Sequence, residues 1–83
     1  MNNTARNAKQ LGAIIRRERK SRDLTQKQLG ETIGLRQATI SKLERGEPGT
    51  QLRTLFDALT ALGLELRIHE RGQGRPEDIE NLF

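Results

Sequence analysis

The sequence contains no Cys, no Trp and no Tyr, and it has only two Phe among its 83 residues. Without Cys there can be no disulfide framework, no thiolate zinc site, no iron–sulfur cluster and no thiol catalysis. A core with so few large aromatic side chains must be built from Leu, Ile and Ala, which favours packed helices over a β-sandwich. A chain of this length holds one domain, because a second hydrophobic core would not fit.

Long apolar runs are missing as well. No segment approaches the roughly 18 apolar residues that a membrane-spanning helix needs. Residues 1–10 are polar and lack the apolar region of a secretory signal. We therefore expect a cytoplasmic protein.

Candidate catalytic and metal-binding groups are also sparse. His69 is the only histidine, and no second potential ligand stands at a suitable spacing from it. Glu77, Asp78 and Glu80 form a carboxylate cluster, but nothing in the sequence positions them for acid–base chemistry. We expect neither an enzyme nor a protein that needs a metal or another cofactor.

The charge is unevenly distributed along the chain. Residues 1–45 contain eleven Lys and Arg against four Asp and Glu, a net charge of +7, whereas residues 46–83 have a net charge of −3. A basic first half can contact a polyanion, and an acidic second half can contact a basic partner. The simpler interpretation is a soluble protein with an uneven surface charge.

Apolar residues that recur every three or four positions predict four helices. These helices cover residues 8–22, 26–33, 36–44 and 51–62. The fourth has the clearest amphipathic pattern, an apolar stripe formed by Leu52, Leu55, Phe56, Leu59 and Leu62. The sequence therefore predicts an all-α core.

Polar and glycine residues mark the ends of these helices. Thr25 and Gln28 form a T-x-x-Q capping box at the start of the second helix, and Gly34 ends it. Thr50 is the expected cap of the fourth helix, and Gly63 follows its last residue. The third helix lacks a residue that caps well.

A change of period follows the fourth helix. Leu64, Leu66 and Ile68 alternate with charged residues and histidine, which predicts a strand of about seven residues. A single strand leaves its ladder groups unpaired, and the simplest partner is the same strand of a second copy. We therefore expect a homodimer with a small sheet between its subunits.

The second and third helices have the spacing of a helix-turn-helix unit. If Gln26 is the first of twenty positions, Gly30 is the fifth, where only a small residue lets the chain cross closely. Gly34 is the ninth and makes the turn, whereas Ile40 and Leu43 brace the third helix from behind. The other face of that helix then stays free to enter a DNA groove.

Three segments carry a family resemblance: LTQKQL at 24–29, IG at 33–34 and TISKLERG at 39–46. Together they resemble the XRE (Cro-type) helix-turn-helix family of lambda-repressor-like domains, over about residues 8–62. Residues 33–42 are most similar to the HipB antitoxins, and so is the strand after the last helix.

The resemblance implies a fold and a function. HipB antitoxins are dimers that bind operator DNA, repress their own operon and neutralise a HipA-type serine/threonine kinase toxin. The resemblance implies a lambda-repressor-like helix-turn-helix domain with one C-terminal strand, and this strand pairs across a homodimer. It also implies that the partners are double-stranded operator DNA with an inverted repeat, a second copy of the chain and a HipA-like kinase.

The third helix supplies the expected DNA-reading residues. The amide of Gln37 can pair bidentately with adenine, and Arg36 can reach guanine or a phosphate. Ala38 can contact a thymine methyl, and Ser41 can take a base or a phosphate. The expected phosphate contacts are Gln26, Lys27, Thr39, Lys42 and Arg45. An ordinary solvated helix face is the alternative, and the basic cluster at 16–22 fits either a DNA contact or a solubilising role.

The sequence predicts three regions of the chain. Residues 1–7 form a flexible N-terminus, residues 8–71 form the DNA-binding and dimerisation domain, and residues 72–83 form a flexible acidic tail. Ile79, Leu82 and Phe83 in that tail resemble a docking peptide, so we expect them to contact the toxin.

Two alternative functions stay open. One is a stand-alone phage or plasmid repressor without a toxin, and the other is a protein-interaction module that does not read DNA.

Overall fold

A computed structural model describes residues 3–71 and contains four α-helices in that range. They are α1 (Ala8–Ser21), α2 (Gln26–Ile33), α3 (Gln37–Arg45) and α4 (Leu52–Ala61). The predicted all-α architecture is confirmed, and each predicted helix end lies within one residue of the observed end. No helix in residues 3–71 is long and apolar enough to cross a membrane.

The start of α2 has the capping box that the sequence predicts. The Thr25 hydroxyl accepts a hydrogen bond from the Gln28 amide at 3.0 Å, and the Gln28 side chain accepts one from the Thr25 amide at 2.8 Å. The two bonds satisfy backbone donors that a helix N-terminus otherwise leaves to water. The first residue of the helix-turn-helix unit is therefore fixed by a local signal.

Other helix ends agree with the sequence only in part. Gly34 ends α2 in the left-handed region at φ +72°, a conformation that residues with a Cβ rarely adopt. Arg36 precedes α3 without a side-chain cap from any residue of the described range, as predicted. The prediction for Thr50 is wrong, because Gln51 is the N-cap of α4 and the Thr50 hydroxyl donates to the Glu47 carbonyl at 3.4 Å.

The core lies between the helices, with α3 packed against both α1 and α2 and with α4 packed against α2. The largest fully buried side chains of the described residues are Ile15, Leu29, Ile40 and Leu62. Each comes from a stripe that the sequence predicts to face inward. Burying such a side chain stabilises the fold by about 1.5–3 kcal/mol relative to leaving it in water.

Two residues of the apolar stripe in α4 do not join this core. Leu55 and Leu59 are buried, whereas Leu52 and Phe56 are 71% and 46% exposed. The stripe is wider than the surface that the neighbouring helices cover, so its outer edge faces solvent. Helical spacing identifies an apolar face but does not show how much of that face a partner helix reaches.

The segment after α4 begins in the core and then leaves it. The Leu64 amide donates to the Leu59 carbonyl at 2.8 Å, and the Leu64 side chain packs against the core. Leu66 and Ile68 are 46% and 90% exposed. Within residues 3–71 this segment pairs with no strand, so its pairing with a second copy stays a prediction. The acidic tail and its expected toxin-binding residues Ile79, Leu82 and Phe83 lie outside the described residues.

Candidate nucleic-acid interface

The turn between α2 and α3 is held by close contact between backbones. A Cβ placed on Gly30 would lie 2.5 Å from the carbonyl oxygen of Leu35. The Leu35 amide itself donates to the Gly30 carbonyl at 2.8 Å. The spacing predicts a small residue at this fifth position of the motif, and the close approach leaves room only for glycine. This contact sets the angle at which α3 leaves α2.

Helix α3 has one buried face and one open end. Ile40 and Leu43 are buried on the inner face. The expected base-reading residues Arg36, Gln37 and Ala38 are all exposed at the N-terminal end of the helix. The structure therefore brings these three together at the end of α3 that such motifs insert into the major groove.

Ser41 lies one turn further along α3 and already has a partner. Its hydroxyl accepts a hydrogen bond from Arg45 at 2.7 Å, and Arg45 also forms a 2.5 Å ion pair with Glu47. Both side chains of this ion pair are about half exposed, so it contributes at most about 1 kcal/mol. A phosphate could therefore replace Glu47 as the partner of Arg45.

The other expected phosphate-binding residues lie at the start of α2 and along α3. Lys27 and Lys42 are exposed, whereas Gln26 and Thr39 are half-buried. Gln26 is the first residue of α2, where backbone N–H groups and the helix dipole favour an anion. Together with Arg45 these residues form a polar rim that extends from the start of α2 along α3.

Gln26 and Gln37 are linked to each other. Gln37 Nε2 donates a hydrogen bond to Gln26 Oε1 at 3.5 Å. Gln26 Nε2 in turn donates to Glu44 Oε1 at 3.1 Å. The side chain of Gln26 is therefore oriented by a carboxylate on α3. The hydrogen bond to Glu44 leaves Gln26 Oε1 facing Gln37.

The carboxylate behind Gln26 belongs to a buried ion pair between α1 and α3. Arg19 Nε donates to Glu44 Oε2 at 2.6 Å, and Arg19 Nη2 donates to Oε1 at 3.0 Å. Arg19 Nη1 also donates to the carbonyl of Leu24 at 2.6 Å, in the loop before α2. The side chains of Arg19 and Glu44 are only 8% and 2% exposed. The fork geometry of guanidinium and carboxylate makes this a strong, directional contact.

Sequence reasoning missed both members of this pair. It treated Arg19 only as part of the basic cluster and gave Glu44 no role. One signal was present, because Arg19 follows the buried Ile15 by four residues and Glu44 follows the buried Ile40 by four. Each charged residue therefore continues a buried helical stripe by one turn.

The remaining cations of the cluster have different environments. Arg22 forms an ion pair with Glu18 at 3.0 Å, and its hydrogen bond lowers the pKa of the Glu18 carboxyl below its usual range. Arg17 donates to the side chain of Asn3. Arg16 and Lys20 are exposed. The cluster at 16–22 therefore has no single role, since one member is structural and the others face solvent.

The arrangement contains no assembled metal centre within residues 3–71, where no three His, Asp or Glu side chains could hold an ion together. His69 is exposed. What the site does offer is an exposed helix end with amide and guanidinium groups, surrounded by cations. Such a surface can hydrogen-bond base edges and neutralise phosphates.

Comparison with known proteins agrees with this geometry. A family model described as helix-turn-helix matches residues 15–68. The chain is 34% identical over 71 residues to a protein named Antitoxin HipB from Escherichia coli strain K12, an alignment that covers 86% of this chain and 81% of that protein. The protein of the same name from Escherichia coli O6:H1 is also 34% identical, with 76% of its length covered.

Solved structures give the same result. A chain of the structure described as a HipA-HipB-O2-O3 complex aligns with a TM-score of 0.77 and 30% identity, over 84% of this chain and 99% of that one. A chain of the structure described as a HipB-O4 20mer complex has the same values.

The buried ion pair generates a stability prediction. Glu44→Gln should lower the free energy of unfolding by about 3–5 kcal/mol, because the Arg19 guanidinium stays buried without its counter-charge. Urea unfolding followed by circular dichroism measures the change. Glu31→Gln, which makes the same replacement at an exposed position of α2, should leave the midpoint almost unchanged. Equal midpoints for the two variants would contradict a structural role for the pair.

Proposed function

This chain belongs to the helix-turn-helix family of the HipB antitoxins, and on that premise we propose that it is a DNA-binding antitoxin that represses its own operon and neutralises a HipA-type kinase. The observation that carries the proposal is the open end of α3, where Gln37 is exposed and linked through Gln26 to the buried Glu44. The chain supplies binding surfaces and its kinase partner supplies the catalysis. Its place of action is the cytoplasm, where operator DNA and the kinase meet.

In this proposal α3 lies in the major groove and reads bases with its first turn. Gln37 pairs with N6 and N7 of an adenine, and Arg36 reaches a guanine or the adjoining phosphate. Ala38 contacts a thymine methyl, and Ser41 takes a base or a phosphate. The link from Gln37 to Gln26 supports this role, because an amide that is already oriented loses less rotational freedom on binding.

The rim residues hold the backbone on either side of the reading helix. Gln26 and Lys27 lie at the start of α2, and Thr39, Lys42 and Arg45 lie on α3. Each phosphate that these groups neutralise releases counterions, so affinity falls with salt by a log–log slope of about −0.9 per phosphate.

The DNA-bound protein is a homodimer joined through the segment after α4. The exposure of Leu66 and Ile68 supports this assignment, since large apolar side chains in that position gain from a second copy. Two α3 helices related by a two-fold axis then match an inverted repeat with half-sites about 34 Å apart. In this proposal the domain for both roles spans residues 8–71. Contact of Ile79, Leu82 and Phe83 with the kinase stays a prediction from the sequence.

The reading role of Gln37 is tested by substitution. Gln37→Ala should weaken operator binding by about 1–3 kcal/mol, because one bidentate base contact is lost. Its affinity for random duplex should stay near wild type. Fluorescence anisotropy with both duplexes measures the two affinities. Lys42→Ala is the control, since loss of a phosphate contact weakens both complexes. If Gln37→Ala weakens both complexes equally, Gln37 is not a base reader.

Dimerisation through the C-terminal segment gives a second prediction. Ile68→Glu should shift the protein from dimer to monomer, because the new charge would lie on the apolar face of the sheet that the two copies form. Light scattering after gel filtration measures the mass. His69→Glu places the same charge on the opposite strand face and should leave the dimer intact. The proposed pairing would be contradicted if Ile68→Glu remained a dimer, or if both variants lost the dimer equally.

Partnership with a kinase gives a third prediction. Co-expressed with an affinity-tagged HipA-type kinase, the chain should co-purify and elute with the kinase in one complex. It should also relieve the growth arrest that the kinase causes. A chain that binds its operator yet elutes apart from the kinase would instead be a stand-alone repressor.

A further inference from the structure

A groove between α1 and the C-terminal end of α3 collects positive charge. It has a volume of about 410 Å³, and we call it the basic groove. Its cationic lining consists of Lys9, Arg16, Arg17, Lys20 and Arg45. Lys9, Arg16 and Lys20 are seven and then four residues apart, so they form one stripe along α1. All five cations are exposed.

Within residues 3–71, no carboxylate neutralises the cations that α1 contributes to the basic groove. Lys9, Arg16 and Lys20 form no ion pair with any residue of the described range. Glu44 is the one carboxylate on the lining, and its oxygens already accept bonds from Arg19 and Gln26. The stripe on α1 therefore remains available for an external anion.

The basic groove shares Arg45 with the proposed phosphate-binding residues. Arg45 lines the groove and is also the last residue of α3. Glu44 lines the groove on one side and holds Gln26 on the other, and Gln26 contacts Gln37. A duplex whose backbone contacts Arg45, one of the proposed phosphate-binding residues, would therefore also meet this groove.

The dimensions of the stripe suit a nucleic-acid backbone. From Lys9 to Lys20 the stripe is about 16 Å long, at 1.5 Å per helical residue. That length equals the axial rise of roughly five nucleotides in one strand of a duplex.

The composition of the groove favours a polyanion over a protein surface. Protein interfaces depend on buried aromatic or large aliphatic anchors, and the apolar residue on this lining is Ala13. The exposed large apolar side chains of residues 3–71 lie elsewhere, on α4 and in the segment after it.

We propose that the basic groove binds the phosphate backbone of the duplex that flanks each half-site. This inference rests on the proposed DNA-binding function and extends the footprint of each protomer beyond the base pairs that α3 reads. The contact is independent of sequence, because it involves phosphates only. The length of flanking DNA therefore contributes to operator affinity.

The test removes charge from the groove and varies the length of the duplex. The probe is the tightest-binding inverted repeat selected from a random duplex library, either trimmed to its two half-sites or extended by about six base pairs at each end, which adds roughly 20 Å per end. The wild type should bind the extended duplex more tightly than the trimmed one. Arg16→Ala/Lys20→Ala should lose that gain, roughly tenfold in affinity, and should lower the salt slope by up to about 1.8 on the extended duplex alone.

Matched variants separate the groove from net charge and from folding. Arg53→Ala/Arg71→Ala removes the same charge from exposed positions on α4 and beyond it and should bind both duplexes like the wild type. Arg16→Gln/Lys20→Gln should reproduce the alanine result, because it keeps the length of the side chains and removes only their charge. Circular dichroism should show the wild-type helix content in every variant.

Three outcomes would overturn the inference. Unchanged binding of Arg16→Ala/Lys20→Ala to the extended duplex would show that the groove does not contact DNA. Equal loss on both duplexes would place its contacts inside the half-site. Loss of kinase binding with unchanged DNA binding would assign the groove to a protein partner. In each case the wild type still prefers its operator, so the proposed function survives. If the wild type did not prefer its operator over random duplex, both the proposed function and the inference about the groove would be overturned.

Discussion

The buried ion pair between Arg19 and Glu44 is the interaction on which the rest of the structure depends. It joins α1 to α3 through two hydrogen bonds and reaches the loop before α2 through the Leu24 carbonyl. The same carboxylate orients Gln26. Because an unpaired charge at this depth would be strongly destabilising, the pair tolerates little displacement of α3. The position of the reading helix is therefore set by electrostatics as well as by apolar packing.

In this small domain, the surfaces proposed to contact DNA and a second subunit lie on different elements. The exposed N-terminal end of α3 carries the residues proposed to read bases, and the basic groove lies between α1 and the C-terminal end of α3. Exposed apolar side chains are found on α4 and in the following segment, where Leu52, Phe56 and Ile68 remain outside the core. DNA contacts and subunit contacts can thus be made at the same time. The uneven charge of the sequence agrees with this separation.

Much of the fold could be predicted because its signals are local. The capping box of Thr25 and Gln28 and the turn at Gly34 each involve residues close in sequence. The outward-facing Leu52 and Phe56 were not predictable in this way, because their exposure depends on which neighbouring helix covers α4. The exposure of the N-terminal end of α3 was predicted from motif spacing, whereas the bond between Gln37 and Gln26 depends on the angle at which two helices meet.

The sequence by itself determined the four helices, the tight turn at Gly30 and Gly34, and the free end of α3. These features follow from periodicity, capping and backbone sterics, which act over a few residues. Only the tertiary structure decided that Arg19 is buried while Arg16 and Lys20 line an open groove. These residues have the same kind of charge and lie on one helix, so composition cannot separate them. The difference arises because α3 covers one face of α1 and offers a carboxylate from 25 residues away.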